Sequence, residues 1–235
     1  MKCVVPLAGP DLWTERYGLR PLVDVDGEFL IEAALRPRAW AGAMTSRDYV
    51  FVVRETVGHS DFLAYLASRW PGCRIVTLSD LSGGALFSSL AAMALVPPDE
   101  TVAIDLADIL FSGGPEDPQG LFAREGHGAV VPVFSSDEPC YSYLRIEDGL
   151  VIEAREKQVI SSNASAGVYM FRDMQVFLAA AAHNIAHRQS MGVNGTLFVC
   201  PMVNGVVAAG HTVIAPPVDD CRPVGKMFHG PLPVI

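Results

Sequence analysis

Four short apolar runs, at residues 2–7, 49–53, 73–78 and 101–104, alternate with segments of helical periodicity. No other feature limits the fold as strongly. Each run has the length of a strand. Between them, residues 29–35, 60–70 and about 82–95 read as helices. In the second of these, Phe62, Leu63, Leu66 and Ala67 fall on one side. Pro97 and Pro98 stop the third. Repeated strand–helix–strand units predict a mixed α/β sandwich whose sheet is mostly parallel and covered by helices. Such sheets bind ligands beyond the carboxyl ends of their strands. The residues that follow each apolar run are therefore the first candidates for a site.

The second half changes character. Residues 129–134 and 166–171 read as strands. Residues 141–146 and 150–153 read as a hairpin around Glu147-Asp148-Gly149, with Asp-Gly as its turn signal. Residues 174–187 and 198–209 read as helices, the latter ended by Gly210, and 212–215 as a strand. No repeat or low-complexity linker interrupts the chain. The expectation is a single domain over residues 1–235, with halves at 1–112 and 113–235.

Half of the residues are hydrophobic and 18% are charged, which supports a large core and excludes the disordered class. A net charge of -9 argues against a general nucleic-acid binder, which needs a basic surface. It leaves room for a phosphorylated ligand, because a few placed cations can dominate a pocket. The cysteines Cys3, Cys73, Cys140, Cys200 and Cys221 are odd in number and include no Cys-x-x-Cys pair. That argues against a zinc site or a disulfide framework and predicts a reducing, cytoplasmic setting. No run reaches the roughly 20 apolar residues of a membrane span, and residues 1–9 do not read as a secretory signal. No membrane or nucleic-acid partner is expected, and self-association into a homo-oligomer is compatible with this composition.

Several residues can carry chemistry. The run 101–104 is followed by Asp105 and Asp108. A carboxylate at that edge either binds magnesium together with substrate phosphates or caps the turn. The chain has three lysines, Lys2, Lys157 and Lys226. Lys157 follows Glu156 and precedes a run of small residues. It is either a phosphate ligand or half of an exposed ion pair. Ser82-Gly83-Gly84 opens a helix. It either lets the backbone approach a nucleotide or is an ordinary N-cap. The strand 2–7 runs through Leu7 and Ala8 into Gly9, where backbone N–H groups at a sheet edge can hold a nucleotide. His183 and His187 stand four apart on a helix without a third ligand, so they read as half-buried helix residues.

Together these segments resemble the sugar-phosphate nucleotidyltransferases, over residues 2 to about 225. The resemblance rests on Leu7-Ala8-Gly9, Arg20-Pro21-Leu22, Ser82-Gly83-Gly84-Ala85, Asp108, and Glu156-Lys157 followed by Gly167-Val168-Tyr169-Met170-Phe171. It implies a glycosyltransferase A-like, Rossmann-like fold with a nucleotide half and an acceptor half. It also implies attack of a sugar phosphate or similar acceptor on a nucleoside triphosphate, with release of pyrophosphate, in sugar-nucleotide and surface-polysaccharide metabolism. Arg20, Lys157 and Asp108 would be catalytic. Leu7, Ala8, Gly9, Arg16, Gly83 and Gly84 would face the nucleotide, and Asp105, Glu156 and Gly167 the acceptor. Asp108 and Asp220 would hold magnesium, with a surface acidic turn as the alternative for Asp219 and Asp220. The first loop departs from the family: Arg20 stands for a lysine, Pro10 and Asp11 for small residues, and Asp11 adds a negative charge. A non-catalytic nucleotide-binding relative and a nucleotide-sugar-dependent glycosyltransferase are therefore the alternative readings.

Overall fold

The computed structural model describes residues 1–224; Gly225 and Lys226 lie outside the described residues. Its centre is a seven-stranded sheet in the order Val213–Ile214, Ala129–Val130, Val168–Phe171, Val102–Asp105, Lys2–Pro6, Tyr49–Arg54 and Arg74–Leu78. Every strand runs in one direction except Val168–Phe171, which is antiparallel to both neighbours. The mixed, mostly parallel sheet matches the expected architecture.

The strands form because their apolar residues can be buried on both faces. Val4, Val50, Val52, Val102 and Ile104 pack on one side with Leu86, Met93, Phe177 and Val203. These come from the helices Ala85–Ala91, Met174–Ala186 and Met202–Ala208 and the short turn after the first of them. The alternate residues Cys3, Val5, Phe51 and Val53 face Ile31, Leu35, Phe62, Leu66 and Trp70. That layer is built by the helices Leu30–Leu35 and His59–Arg69. Among the described residues, no helix is long and apolar enough to cross a membrane.

A second, antiparallel sheet runs in the order Val133–Ser135, Asn163–Ser165, Tyr143–Glu147 and Leu150–Arg155. Asp148 and Gly149 turn its hairpin with φ of +50° and +79°, the left-handed pair that such two-residue turns require. Residues 129–134, expected as one strand, are divided between the two sheets. Pro132 lies at the division, has no N–H to give to a ladder, and accepts a hydrogen bond from Ala166 N–H through its carbonyl.

Three further differences have physical reasons. Ile109–Ser112 is a strand because Asp219–Pro223, more than a hundred residues away, pairs with it. Pro118–Glu125 is a helix started by Asp117, whose carboxylate accepts from the Gly120 N–H. The expected helix 198–209 begins only at Met202, because Pro201 disfavours helix in the residue before it; just upstream, Leu197 bonds the Gly83–Leu86 turn.

That last contact sets a demand on Gly84. Its φ is +134°, and a Cβ there would stand 2.1 Å from the Leu197 carbonyl oxygen. Gly84→Ala is expected to cost at least about 1–3 kcal/mol, from backbone strain alone, read as a lower midpoint in urea unfolding.

Candidate active site

The site is built outward from one turn. The strand Val102–Asp105 ends in an acid that is 0% exposed. Arg38 Nε donates to Asp105 Oδ2 at 2.8 Å and Arg38 Nη2 to Oδ1 at 3.1 Å. The same Nη2 donates to the Ile109 carbonyl at 3.1 Å. The Ala107 N–H donates to Asp105 Oδ1 at 2.9 Å. Asp105 is thus fully engaged by the protein itself, and the expected contact with an acceptor is corrected: it shapes the turn. Ala107 sits at φ +52°, a conformation that costs a non-glycine residue energy and needs surrounding bonds to hold it. Held this way, the chain presents Asp108 half-buried at the carboxyl edge of the sheet.

The first loop approaches Asp108 from one side. Leu7 and Ala8 are buried, and the Leu7 N–H is used by the Val52 carbonyl, so these two form the floor and offer no free strand-end donor at Leu7. After Gly9 the chain makes the turn Pro10–Leu12, the short strands Trp13–Thr14 and Gly18–Leu19, and the turn Arg20–Leu22. Arg20 Nη1 and Asp11 Oδ2 are 2.6 Å apart. Asp11 Oδ1 stands 2.7 Å from where a Cβ on Gly9 would be. Asp11, read from sequence as a charge repelling phosphate, is therefore the partner that holds Arg20. Arg16 is exposed, with its guanidinium 4.9 Å from the Tyr17 ring centroid, and does not join this cluster.

The acceptor segment approaches from the other side. Gly167 has φ +77°, and a Cβ there would lie 3.2 Å from Asp108 Oδ1, so the turn and this segment touch. Glu156 accepts a hydrogen bond from Ser142 Oγ. Lys157 has φ +52° and its Nζ lies 5.1 Å from the Phe198 ring centroid. Burial pushes the Asp108 carboxyl up, opposed by Arg20 and reinforced by Asp11 and Asp105. Burial likewise pushes Glu156 up to about 7, opposed by the Ser142 hydrogen bond and Lys157 and reinforced by Asp108. Asp108 therefore shares an electrostatic field with the first loop and with the acceptor segment. A polar cavity of about 110 Å³ lies next to Glu156, lined also by Gln158, Ser190 and Gly192.

Two expected groups make their bonds within the protein. Around Gly83 and Gly84, the Gly83 carbonyl accepts from Leu197 N–H and the Leu86 N–H donates to the Leu197 carbonyl. The turn's bonds go to the protein. Asp220 accepts from Ser112 Oγ at 2.8 Å. The ladder pairs Pro223 with Ile109 and Asp219 with Ser112, which puts Asp220 at the end of the strand away from Asp108. It is placed as the surface acidic turn.

The donors do not fit a protein-held magnesium ion, which takes oxygen ligands in near-ideal octahedral geometry. Asp105 is held by Arg38, Asp220 is displaced, and the cations that act on Asp108 are the chain's own Arg20 and Arg38. Among the described residues, no group of three or more His, Cys, Asp or Glu side chains is placed to hold a metal.

Arg38→Leu leaves Asp105 charged, buried and half-bonded. It is expected to cost about 3–5 kcal/mol in urea unfolding, while Asp105→Asn, which keeps an acceptor for the Ala107 N–H, costs less. Glu156 gives a pH signature. Between its ordinary 4.5 and about 7 the folded chain holds a proton that the unfolded chain has released. Stability should therefore fall as pH rises through that window, and Glu156→Gln should flatten the fall in denaturation curves taken across it.

No protein-family model matches the sequence, and no curated protein matches it. Solved structures do. A nucleoside-diphosphate-sugar pyrophosphorylase from Vibrio cholerae superposes with a TM-score of 0.76 at 18% identity, covering 93% of this chain and 92% of that one. The inositol-1-phosphate CTP transferase from T. maritima gives 0.65 at 15% identity over 94% and 86%. A UDP-glucose pyrophosphorylase complexed with UDP-glucose gives 0.68 at 16% identity over 96% and 94%. The chain has the fold of these nucleotidyltransferases along nearly its whole length.

Proposed function

We propose that this chain is a nucleotidyltransferase that joins a nucleoside triphosphate to a sugar phosphate or a related phosphorylated acceptor. One observation carries the reading. Asp108, at the carboxyl edge of the parallel sheet, lies against Gly167 of the acceptor segment on one side, and its neighbour Ala107 packs with Leu12, Leu19 and Leu22 of the first loop on the other. A nucleotide on one side and a phosphorylated acceptor on the other would meet at that point. The three solved structures named above, by their printed names, belong to enzymes of this reaction class.

In the proposed reaction an oxygen of the acceptor phosphate attacks the α-phosphorus of the triphosphate. The bond from that phosphorus to the bridging oxygen of the β-phosphate breaks, and its electron pair leaves with pyrophosphate. The attacking group is already an anion, so no protein base is needed. The difficulty is repulsion between two anions. Arg20 on the nucleotide side and Lys157 on the acceptor side supply cations where charge accumulates. Arg20 suits this role because its planar guanidinium can bond two phosphate oxygens at once, and in the free protein it is held in the loop by Asp11. A Glu156 carboxyl that keeps its proton to about pH 7 adds less repulsion than an ionised one.

The five cysteines are all free, which suits the cytoplasm, where sugar nucleotides for polysaccharide assembly would be made. The glycosyltransferase reading loses its second acid, because Asp105 is enclosed with Arg38. The reading of a non-catalytic relative is favoured by one observation, the Asp11 carboxylate already paired to Arg20.

The test is pyrophosphate release across a panel of five nucleoside triphosphates and phosphorylated sugars, polyols and amino alcohols. Release with at least one pair is expected, and Arg20→Ala should lower kcat/KM by the equivalent of about 2–4 kcal/mol. Nucleotide binding without release from any pair would establish the non-catalytic relative instead.

A further inference from the structure

The acids near Asp108 are already paired to cations of the chain itself, Asp105 to Arg38 and Asp11 to Arg20. Arg20 is 9% exposed and bonded to Asp11 at 2.6 Å, on a loop whose Leu12, Leu19 and Leu22 pack in one cluster with Ala107, the neighbour of Asp108. A second metal carboxylate is missing, since the strand register sends Asp220 to Ser112, and Asp105 is held by Arg38. A divalent ion entering beside Asp108 would feel the positive field of the Arg20 guanidinium, and their repulsion would not be offset by further ligands.

We propose that the Arg20 guanidinium takes the place of a divalent cation in this site, so that phosphate groups bind here without metal. The proposal rests on the phosphate-binding role given to this site above. It also gives Asp11 a role. Its carboxylate lies against Gly9 on one oxygen and against Arg20 on the other, which is where a ligand phosphate would have to sit to touch both. A phosphate displaces Asp11 from Arg20, one anion for another, and the charge around the guanidinium stays balanced. The same exchange at a metal would displace water. Arginine serves because it keeps its charge and offers two parallel donors to a phosphate.

Two measurements test this on the full chain. In the first, Mn2+ alone is titrated and free Mn2+ is followed by electron paramagnetic resonance. Wild type and Arg20→Lys, which keeps the positive charge, are expected to take up no stoichiometric Mn2+. Arg20→Ala frees the Asp11 and Asp108 carboxylates and is expected to bind Mn2+ at least about tenfold more tightly than wild type, a gain that Asp108→Asn added to it removes. In the second, inorganic pyrophosphate binding is measured by calorimetry with Mg2+ and with EDTA. The two dissociation constants are expected to agree within about twofold, whereas Arg20→Ala should lose about tenfold or more in EDTA.

Stoichiometric Mn2+ binding by wild type that Asp108→Asn abolishes would overturn the proposal. So would an Arg20→Ala chain, cooperatively folded by thermal melting, that gains no Mn2+ affinity. Pyrophosphate binding that appears only with Mg2+ would also overturn it. Absence of pyrophosphate binding in both conditions, with Mn2+ uptake gained in Arg20→Ala, would instead defeat the phosphate-site reading on which it rests.

Discussion

The buried ion pair between Arg38 and Asp105 holds the functional geometry together. Removing two charges from water is expensive, and their attraction repays it only when geometry and further hydrogen bonds are good. Here two parallel donors join the pair, Asp105 also accepts from Ala107 and Arg38 also donates to Ile109, which leaves Arg38 Nη1 as the one nitrogen of the guanidinium without a hydrogen-bond partner. The Arg38 guanidinium stacks 3.8 Å above the Phe111 ring as well, a contact that favours a desolvated cation. What the pair secures is local. It keeps Ala107 left-handed, and through Ala107 it sets where the next carboxylate emerges.

Around that carboxylate the protein solves an electrostatic problem. In the proposed reaction a chain of net charge -9 has to offer an anionic ligand somewhere to settle. It would do so with two cations drawn from distant parts of the sequence, Arg20 and Lys157, and with acids that are reluctant to ionise. Asp108 and Glu156 both have carboxyls made reluctant to ionise, chiefly by desolvation and further by their neighbouring acids. Backbone strain gathers at the same place: Ala107 precedes Asp108, Lys157 follows Glu156, and both are left-handed without being glycine. Strain of this kind persists where surrounding contacts over-determine the conformation.

Much of this was legible in the sequence, and for identifiable reasons. The sheet could be read because strands such as residues 49–53 are short apolar runs bounded by helical periodicity, a local signal. Asp108, Glu156, Lys157 and Gly167 could be proposed together because they flank such runs. The failures are non-local. Nothing near Arg38 marks it as the partner of a residue 67 positions away. Ile109–Ser112 becomes a strand only through Asp219–Pro223, and without that register Asp220 could not be separated from the site. Asp11 and Arg20 were both noticed, but as opposing influences on a phosphate, and their pairing depends on how the eight residues between them double back.

The antiparallel strand Val168–Phe171 has a mechanical consequence. It belongs by sequence to the acceptor half, yet it is hydrogen-bonded directly to Val102–Asp105 of the nucleotide half, residue for residue. The two halves are thus stitched through the middle of one sheet, and prising them apart would mean tearing a central ladder rather than bending a hinge. Domain opening of the clamshell kind is denied to this molecule. Any ligand would have to enter and leave past the segments outside the sheet, above all residues 9–22, whose shape is kept by the Trp13–Leu19 pairing, the buried Leu12 and the Asp11–Arg20 contact.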